Sequence, residues 1–173
     1  MRIITGKYGG RKIHPPSKMP HTRPTTDVAK EGLFNIIENN IAIPGLKTLD
    51  IFGGTGSISY ELASRGATDL TIVERDPKMY EFIQKSVKEL TIENCRVLKM
   101  DVFRFLENTS EKYNLIFAGP PYALKEIDNL PRLVRDKNLL NENGWCILEH
   151  TPANNYEREP MSKSMRNTGT TLF

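Results

Sequence analysis

Only two cysteines, Cys95 and Cys146, occur in 173 residues, too few for a disulfide framework and without the spacing of metal ligands. A reducing compartment is expected, with both thiols in the core. Long apolar runs are missing too: none approaches the roughly 20 residues that span a bilayer, and the basic start lacks the apolar segment of a secretory signal. A cytoplasmic protein is therefore expected. Internal repeats and low-complexity tracts are also absent, which excludes a solenoid or a long biased tract. Hydrophobic residues at 38% and charged residues at 26% suit one soluble domain with a full-sized core.

What the chain does have is an uneven charge. The net charge is only +3, yet residues 1–30 hold Arg2, Lys7, Arg11, Lys12, Lys18, Arg23 and Lys30 against Asp27 alone, a local +6 that leaves −3 for the rest. A basic arm on a mildly acidic body points to a polyanionic partner, with counterion release from phosphates as the driving force. A solvated charged tail is the plainer reading of the same composition.

Residues 2–14 alternate loosely around Ile3, Ile4, Tyr8 and Ile13, and Gly9-Gly10 supplies a turn, so a small hairpin is expected. Pro15 to Pro24 is a proline-punctuated connector. Thr25-Thr26-Asp27 then offers a cap for a helix that buries Leu33, Phe34, Ile36 and Ile37. From residue 47 the pattern becomes strand, glycine turn and helix: strands at 48–52, 69–74, 95–100 and 114–118, helices at 57–65, 77–90 and near 126–134. A fifth strand, 145–149, follows the Asn143-Gly144 turn. Such alternation predicts an α/β fold with a parallel, doubly wound sheet whose ligand sits beyond the carboxyl ends of the strands. Thr151 to Phe173 is polar and weakly patterned, with no assignment beyond a short final strand.

The stretch Leu49 to Gly56, Leu-Asp-Ile-Phe-Gly-Gly-Thr-Gly, is the most informative. Gly53, Gly54 and Gly56 let the backbone turn sharply and a ligand approach its amides, while Asp50 projects a carboxylate at the mouth. Glu74, at the end of the second strand, is placed to accept both hydroxyls of a ribose, which alone permits a dinucleotide. The dinucleotide pattern, however, wants a third glycine where this chain has Ser59, and Asp50 would repel a pyrophosphate. A cofactor without phosphates fits better, and S-adenosylmethionine carries a sulfonium and an amino group instead. Asp101, after the third strand, would accept from the adenine amine, with Arg75 and Val102 beside these acids. Each carboxylate taken alone reads equally as a helix cap or a surface acid.

Gly119-Pro120-Pro121-Tyr122 follows the fourth strand. The two prolines fix their dihedrals, lack N–H donors and leave carbonyls pointing outward, and Tyr122 presents a flat face. Such a corner suits alkylation of an exocyclic amine: a carbonyl accepts the amine hydrogen while the ring stacks on an extruded base. Without the upstream pattern it would be a tight structural turn.

Taken together these residues resemble the RsmD family of small-subunit ribosomal RNA guanine-N2 methyltransferases. The likeness runs through Arg2-Ile3-Ile4-Thr5-Gly6-Lys7, Gly10-Arg11, Arg23-Pro24-Thr25-Thr26-Asp27, Leu33-Phe34-Asn35, Leu49 to Gly56, Ser64-Arg65-Gly66, Val73-Glu74-Arg75-Asp76, Pro120-Pro121-Tyr122 and Leu148-Glu149-His150. The resemblance implies a class I, Rossmann-like S-adenosylmethionine-dependent methyltransferase fold over residues 25–173. It further implies that residues 1–24, a hairpin extension and connector, grip RNA through Lys7, Arg11, Lys12 and Lys18. Arg23, Thr25 and Thr26 would lie over the methionine end of the cofactor, and Gly119, Pro120, Pro121 and Tyr122 would form the reacting corner. The expected partner is 16S rRNA or an assembling small subunit, met by a monomer without a metal.

Three departures from the family pattern stand out. Asp or Asn is usual where this chain has Gly119, and its side chain accepts the second amine hydrogen. Alanine is usual at Gly53, a mild change expected to be tolerated. Thr168-Gly169 replaces Tyr-Gly before the end of the chain. Because Gly119 removes an acceptor, Gly119→Asp is expected to raise turnover, and a noncatalytic or weakly active RNA-binding assembly protein stands as the alternative function. An NAD-linked oxidoreductase is a third reading, opposed by Ser59 and Asp50.

Overall fold

Parallel pairing dominates. The computed structural model describes residues 1–19, 24–156, 158, 162, 167–168 and 171–172. Strands β1 (Lys47–Ile51), β2 (Asp69–Glu74), β3 (Cys95–Lys99), β4 (Tyr113–Ala118) and β5 (Leu140–Leu148) form one sheet in the order β3-β2-β1-β4-β5, all four pairings parallel. The order reverses between β1 and β4, where a crevice opens at the strands' carboxyl ends.

Helices cover both faces. Helices α1 (Asp27–Asn40), α2 (Ser57–Ser64) and α3 (Pro77–Glu89) contribute Leu33, Phe34, Ile58, Leu62, Ile83 and Val87 to one core cluster. Helices α4 (Val102–Asn108) and α5 (Asn129–Asp136) bring Val102, Phe105, Leu106, Leu130 and Val134 to the other. Along β1 the alternation of side chains sends Leu49 and Ile51 to the second cluster, while Asp50 faces α2 and accepts from Ser59 Oγ at 2.8 Å.

Caps set where the helices begin. Thr26 accepts from Ala29 N, Asp76 from Met79 N ahead of Pro77 in the first turn, and Asp101 from Arg104 N. Helix α4 is an addition to the sequence expectation. Two other elements begin elsewhere than expected: α5 starts at Asn129 after a series of turns, and β5 starts at Leu140. Asn143-Gly144 is not a turn ahead of β5 but lies within it, where Asn143 has φ 60° and the register shifts between Tyr113 and Leu115. Ile36 is half-buried rather than buried.

The amino-terminal segment has hairpin pairing: Arg2 bridges Lys12, and Ile3 and Arg11 bond across a turn at residues 5–10. It does not stand apart from the domain, since Ile3, Tyr8 and Ile13 are buried in the α1 and α2 cluster. Near the other end, β6 (Asn167–Thr168) and β7 (Thr171–Leu172) pair as a separate antiparallel ribbon. Among the described residues, no helix is long and apolar enough to cross a membrane.

Candidate active site

At the crevice lies a cavity of about 670 Å3, a size suited to a small-molecule ligand. Phe52 leaves β1 with φ 70°, a left-handed conformation that costs a non-glycine residue on the order of 1–3 kcal/mol. The turn that follows is pinned to β2 by Gly53 N donating to Val73 O at 2.9 Å. A Cβ on Gly53 would lie 2.5 Å from Ile72 Cγ2 and 3.1 Å from Ile83 Cδ1. Both isoleucines are fully buried, so a Cβ here would require them to shift, and the glycine that stands in place of the family's usual alanine fits the space as it is. Gly53 and Gly54 line the cavity; Gly56, with φ 80°, caps α2 instead.

Glu74 braces the turn from the next strand. Its Oε2 accepts from Gly54 N at 2.8 Å and its Oε1 from Asp76 N at 2.8 Å. Each oxygen keeps acceptor capacity toward the cavity, which Glu74 also lines. Asp101 has a double duty as well, because it caps α4 with one oxygen and lies 3.8 Å from the Arg75 guanidinium with the other. Val102 follows in the cavity wall.

Asp50 is buried, and loss of hydration pushes its pKa up to about 8, with Glu74 and Glu149 adding to the rise and the Ser59 hydroxyl opposing it. The lining also includes Asp76 and Glu149, whereas Arg75 is its one cation among the described residues. A wall of five acids disfavours a polyphosphate and suits a ligand that carries positive charge.

The other end of the cavity is the corner after β4. Pro120 is buried, Pro121 O accepts from Leu124 N at 2.9 Å, and Tyr122 is 39% exposed. The Tyr122 hydroxyl donates to Glu149 Oε1 at 3.3 Å. A Cβ on Gly119 would meet Phe117 Cε1 at 3.0 Å and Glu149 Oε2 at 3.2 Å, so the space beside Gly119 already holds a ring edge and a carboxylate.

Of the expected site residues, Thr25, Asp50, Gly53, Gly54, Glu74, Arg75, Asp101, Val102, Gly119, Pro120, Pro121 and Tyr122 line this one cavity. Thr26 is not in the wall and caps α1. Arg23 lies outside the described residues. The wall also contains residues not singled out from the sequence, among them Phe52, Ser57, Asp76, Phe103, Phe117 and Glu149. Glu149 was visible only as part of Leu148-Glu149-His150, with no role attached.

The basic residues lie elsewhere on the surface. Lys7, Arg11, Lys12 and Lys18 are exposed, and the Lys7 and Arg11 cations lie 5.3 and 5.8 Å from the Tyr8 ring centre. The root of the arm is tied to the cavity wall by charges buried inside. Glu61 accepts from Ile4 N at 2.8 Å and Thr5 N at 3.2 Å and pairs with Lys30 at 3.7 Å. Lys30 in turn donates to Arg2 O and to Ser57 Oγ. Burial lowers the Lys30 pKa, and the neighbouring Glu61 opposes that fall. Further along, Lys18 O accepts from Lys78 Nζ at 2.8 Å, one residue past Pro77 of the wall.

The strand order, the glycine turn after β1 and the acid closing β2 make a Rossmann-like α/β fold, and its likeness to solved methyltransferase structures makes that fold the class I methyltransferase one. A family described as "Conserved hypothetical protein 95" matches residues 1–171, and the chain belongs to that family. It is 33% identical over 149 residues to the Escherichia coli (strain K12) protein named ribosomal RNA small subunit methyltransferase D, covering 86% of this chain and 71% of that one. Identity to a putative rRNA methyltransferase of Bacillus subtilis (strain 168), YlbH, is 32% over 154 residues, covering 87% of this chain and 82% of that one. Among solved structures, the putative methyltransferase yhhF of Escherichia coli superposes with a TM-score of 0.85 at 27% identity, over 99% of this chain and 94% of that chain.

Proposed function

We propose that this protein transfers a methyl group from S-adenosylmethionine to the exocyclic N2 amine of a guanine in 16S rRNA. The observation that carries the reading is one cavity with two different ends: the glycine turn braced by Glu74 at one, the Pro120 to Tyr122 corner at the other. The names of the relatives, ribosomal RNA small subunit methyltransferase D and putative rRNA methyltransferase, support RNA as the substrate.

The donor set fits the cofactor, since an acidic wall with Asp50 at its floor suits a sulfonium and an ammonium rather than phosphates. Glu74 would hold the ribose, Asp101 and Val102 the adenine, and Asp50, Thr25 and the Gly53-Gly54 turn the methionine part. S-adenosylmethionine, when bound, supplies an electrophilic methyl group. The protein's share is orientation and fixed electrostatics: Tyr122 stacks on the base, and the Pro120 carbonyl accepts one amine hydrogen and aims the nitrogen. Lys7, Arg11, Lys12 and Lys18 would hold the phosphates of the RNA.

Methyl transfer from radiolabelled S-adenosylmethionine to unmodified small-subunit RNA and to small subunits tests the proposal, with digestion to nucleosides identifying N2-methylguanosine. Label on protein or on another nucleoside would refute it. The bare backbone at Gly119 favours a noncatalytic RNA-binding protein as second reading. Cofactor and RNA binding without any transfer in the same assay would select it.

A further inference from the structure

We infer that the Glu149 carboxylate is a catalytic acceptor, taking the second hydrogen of the target amine; this rests on the methyltransferase reading above. An exocyclic amine is a poor nucleophile because its lone pair is delocalised into the ring. It attacks best when both hydrogens are bound by acceptors that rehybridise nitrogen and aim it. The Pro120 carbonyl is one acceptor, and Gly119 has no side chain to be the other.

The other acids of the wall bond to groups at or just after the ends of β1, β2 and β3. Asp50 is tied to Ser59, Glu74 to Gly54 and Asp76, Asp76 to Met79, and Asp101 to Arg104. Glu149 is the acid of the wall that bonds to a residue of the reacting corner, Tyr122. Backbone pairing brings it there: Ala118 faces Leu148 in the sheet, and Glu149 N donates to Ala118 O at 2.8 Å. Its two oxygens are placed differently. Oε1 accepts the Tyr122 hydroxyl at 3.3 Å, while Oε2 lies 3.2 Å from where a Cβ of residue 119 would be. A side-chain acceptor on residue 119 would leave the backbone in that direction, so Glu149 reaches the same region from the neighbouring strand.

In the step itself the amine nitrogen forms a bond to the methyl carbon with its lone pair. The carbon–sulfur bond breaks with its electrons remaining on sulfur, and the proton shed by the methylated nitrogen passes to Glu149 and on to water. Tyr122 has two tasks in this arrangement, stacking on the base and holding the acceptor through its hydroxyl.

Crossing substitutions at 149 and 119 provides the test, in single-turnover transfer at saturating small-subunit RNA and S-adenosylmethionine. Glu149→Ala is expected to lower the rate by ~10²-fold, the usual cost of losing one preorganised group, with S-adenosylmethionine affinity by calorimetry falling far less than the rate. Glu149→Gln, which keeps the size of the side chain, should show a smaller loss and guards against misfolding. Adding Gly119→Asp to Glu149→Ala should recover ~10-fold or more, because a new carboxylate then enters the vacated space. With Glu149 in place the same substitution should lower transfer, the reverse of the gain expected from the sequence, since two carboxylates would be pressed together against Phe117. Wild-type transfer with undiminished rates in both Glu149 variants would overturn this assignment and leave the proposed function standing. So would a gain from Gly119→Asp with Glu149 present, or a Glu149→Ala loss that tracks weakened cofactor binding and is not rescued. Absence of transfer by the wild-type protein would overturn the proposed function and this assignment with it.

Discussion

Gly54 and Glu74, 20 residues apart in the chain, are joined by a hydrogen bond of 2.8 Å from the glycine amide to Oε2. The carboxylate that is proposed to hold a ribose therefore also holds the loop on which the rest of the cofactor would lie. Because its other oxygen accepts from Asp76 N, one side chain ties β1, β2 and the start of α3 together.

Removing Glu74 should therefore act on binding and fold at once. Glu74→Ala is expected to weaken S-adenosylmethionine binding by about 1.5–3 kcal/mol, the cost of losing a charged hydrogen-bond partner. It should also lower the melting temperature of the ligand-free protein. Calorimetry and thermal unfolding measure the two separately; unchanged affinity would remove Glu74 from the cofactor site.

Gly53 gives a prediction on packing alone. Its missing Cβ is matched to Ile72 Cγ2, a branch on Cβ that moves only with the restricted χ1 of a β-branched, fully buried side chain. Gly53→Ala is expected to destabilise the fold by about 1–3 kcal/mol, as overpacked cores do. Urea unfolding reads the change, and a difference below about 0.5 kcal/mol would mean that Ile72 yields more readily than its burial suggests.

Much of this arrangement was legible in the chain because glycine turns and acids punctuate an alternating pattern. Asp50, Glu74, Asp101 and Gly119 were placed at strand ends by periodicity, and the cavity unites them. Helix α4 is too short to show a period of its own, and its cap, Asp101, reads in the sequence as a ligand's acceptor, a role that does not exclude capping. The early start of β5 was hidden by Asn143-Gly144, a sequence that normally marks a turn but here carries an irregularity within the strand. Glu149 was out of reach for a different reason. It lies 27 positions from Tyr122 in the chain, and only the pairing of β4 with β5 makes them neighbours. No local pattern encodes that proximity.

Asp50 makes stability depend on pH. Its folded-state pKa, about 8, lies above the ordinary 3.8, so the folded protein keeps a proton that the unfolded chain gives up. Stability should fall as pH rises from about 3.8 toward 8 and level off above. Asp50→Asn, neutral throughout, should remove that part of the slope in urea titrations at several pH values. On the proposed reading, a cationic cofactor would expel the proton below pH 8. Calorimetry in buffers of different ionisation enthalpy should detect proton release on binding, and an identical pH profile for wild type and Asp50→Asn would contradict the assignment.

The basic arm leads to the last prediction, in which location decides more than charge. Lys7, Arg11, Lys12 and Lys18 are exposed and do not line the cavity, and Lys7 and Arg11 flank one tyrosine ring. The arm is also no loose tail, because Glu61 and Lys30 fix its root to the core. Cations held in this way should neutralise phosphates at fixed positions. Replacing all four with glutamine should then weaken small-subunit RNA binding and flatten its logarithmic salt dependence by up to about 3.6, at roughly 0.7 to 0.9 for each phosphate left without its cation. Affinity for S-adenosylmethionine should stay the same, since the substituted side chains are outside its proposed site. Filter binding across a salt titration is the measurement. Equal slopes for wild type and the glutamine variant would mean that these four residues meet no phosphates, and the RNA would have to be held by another face of the protein.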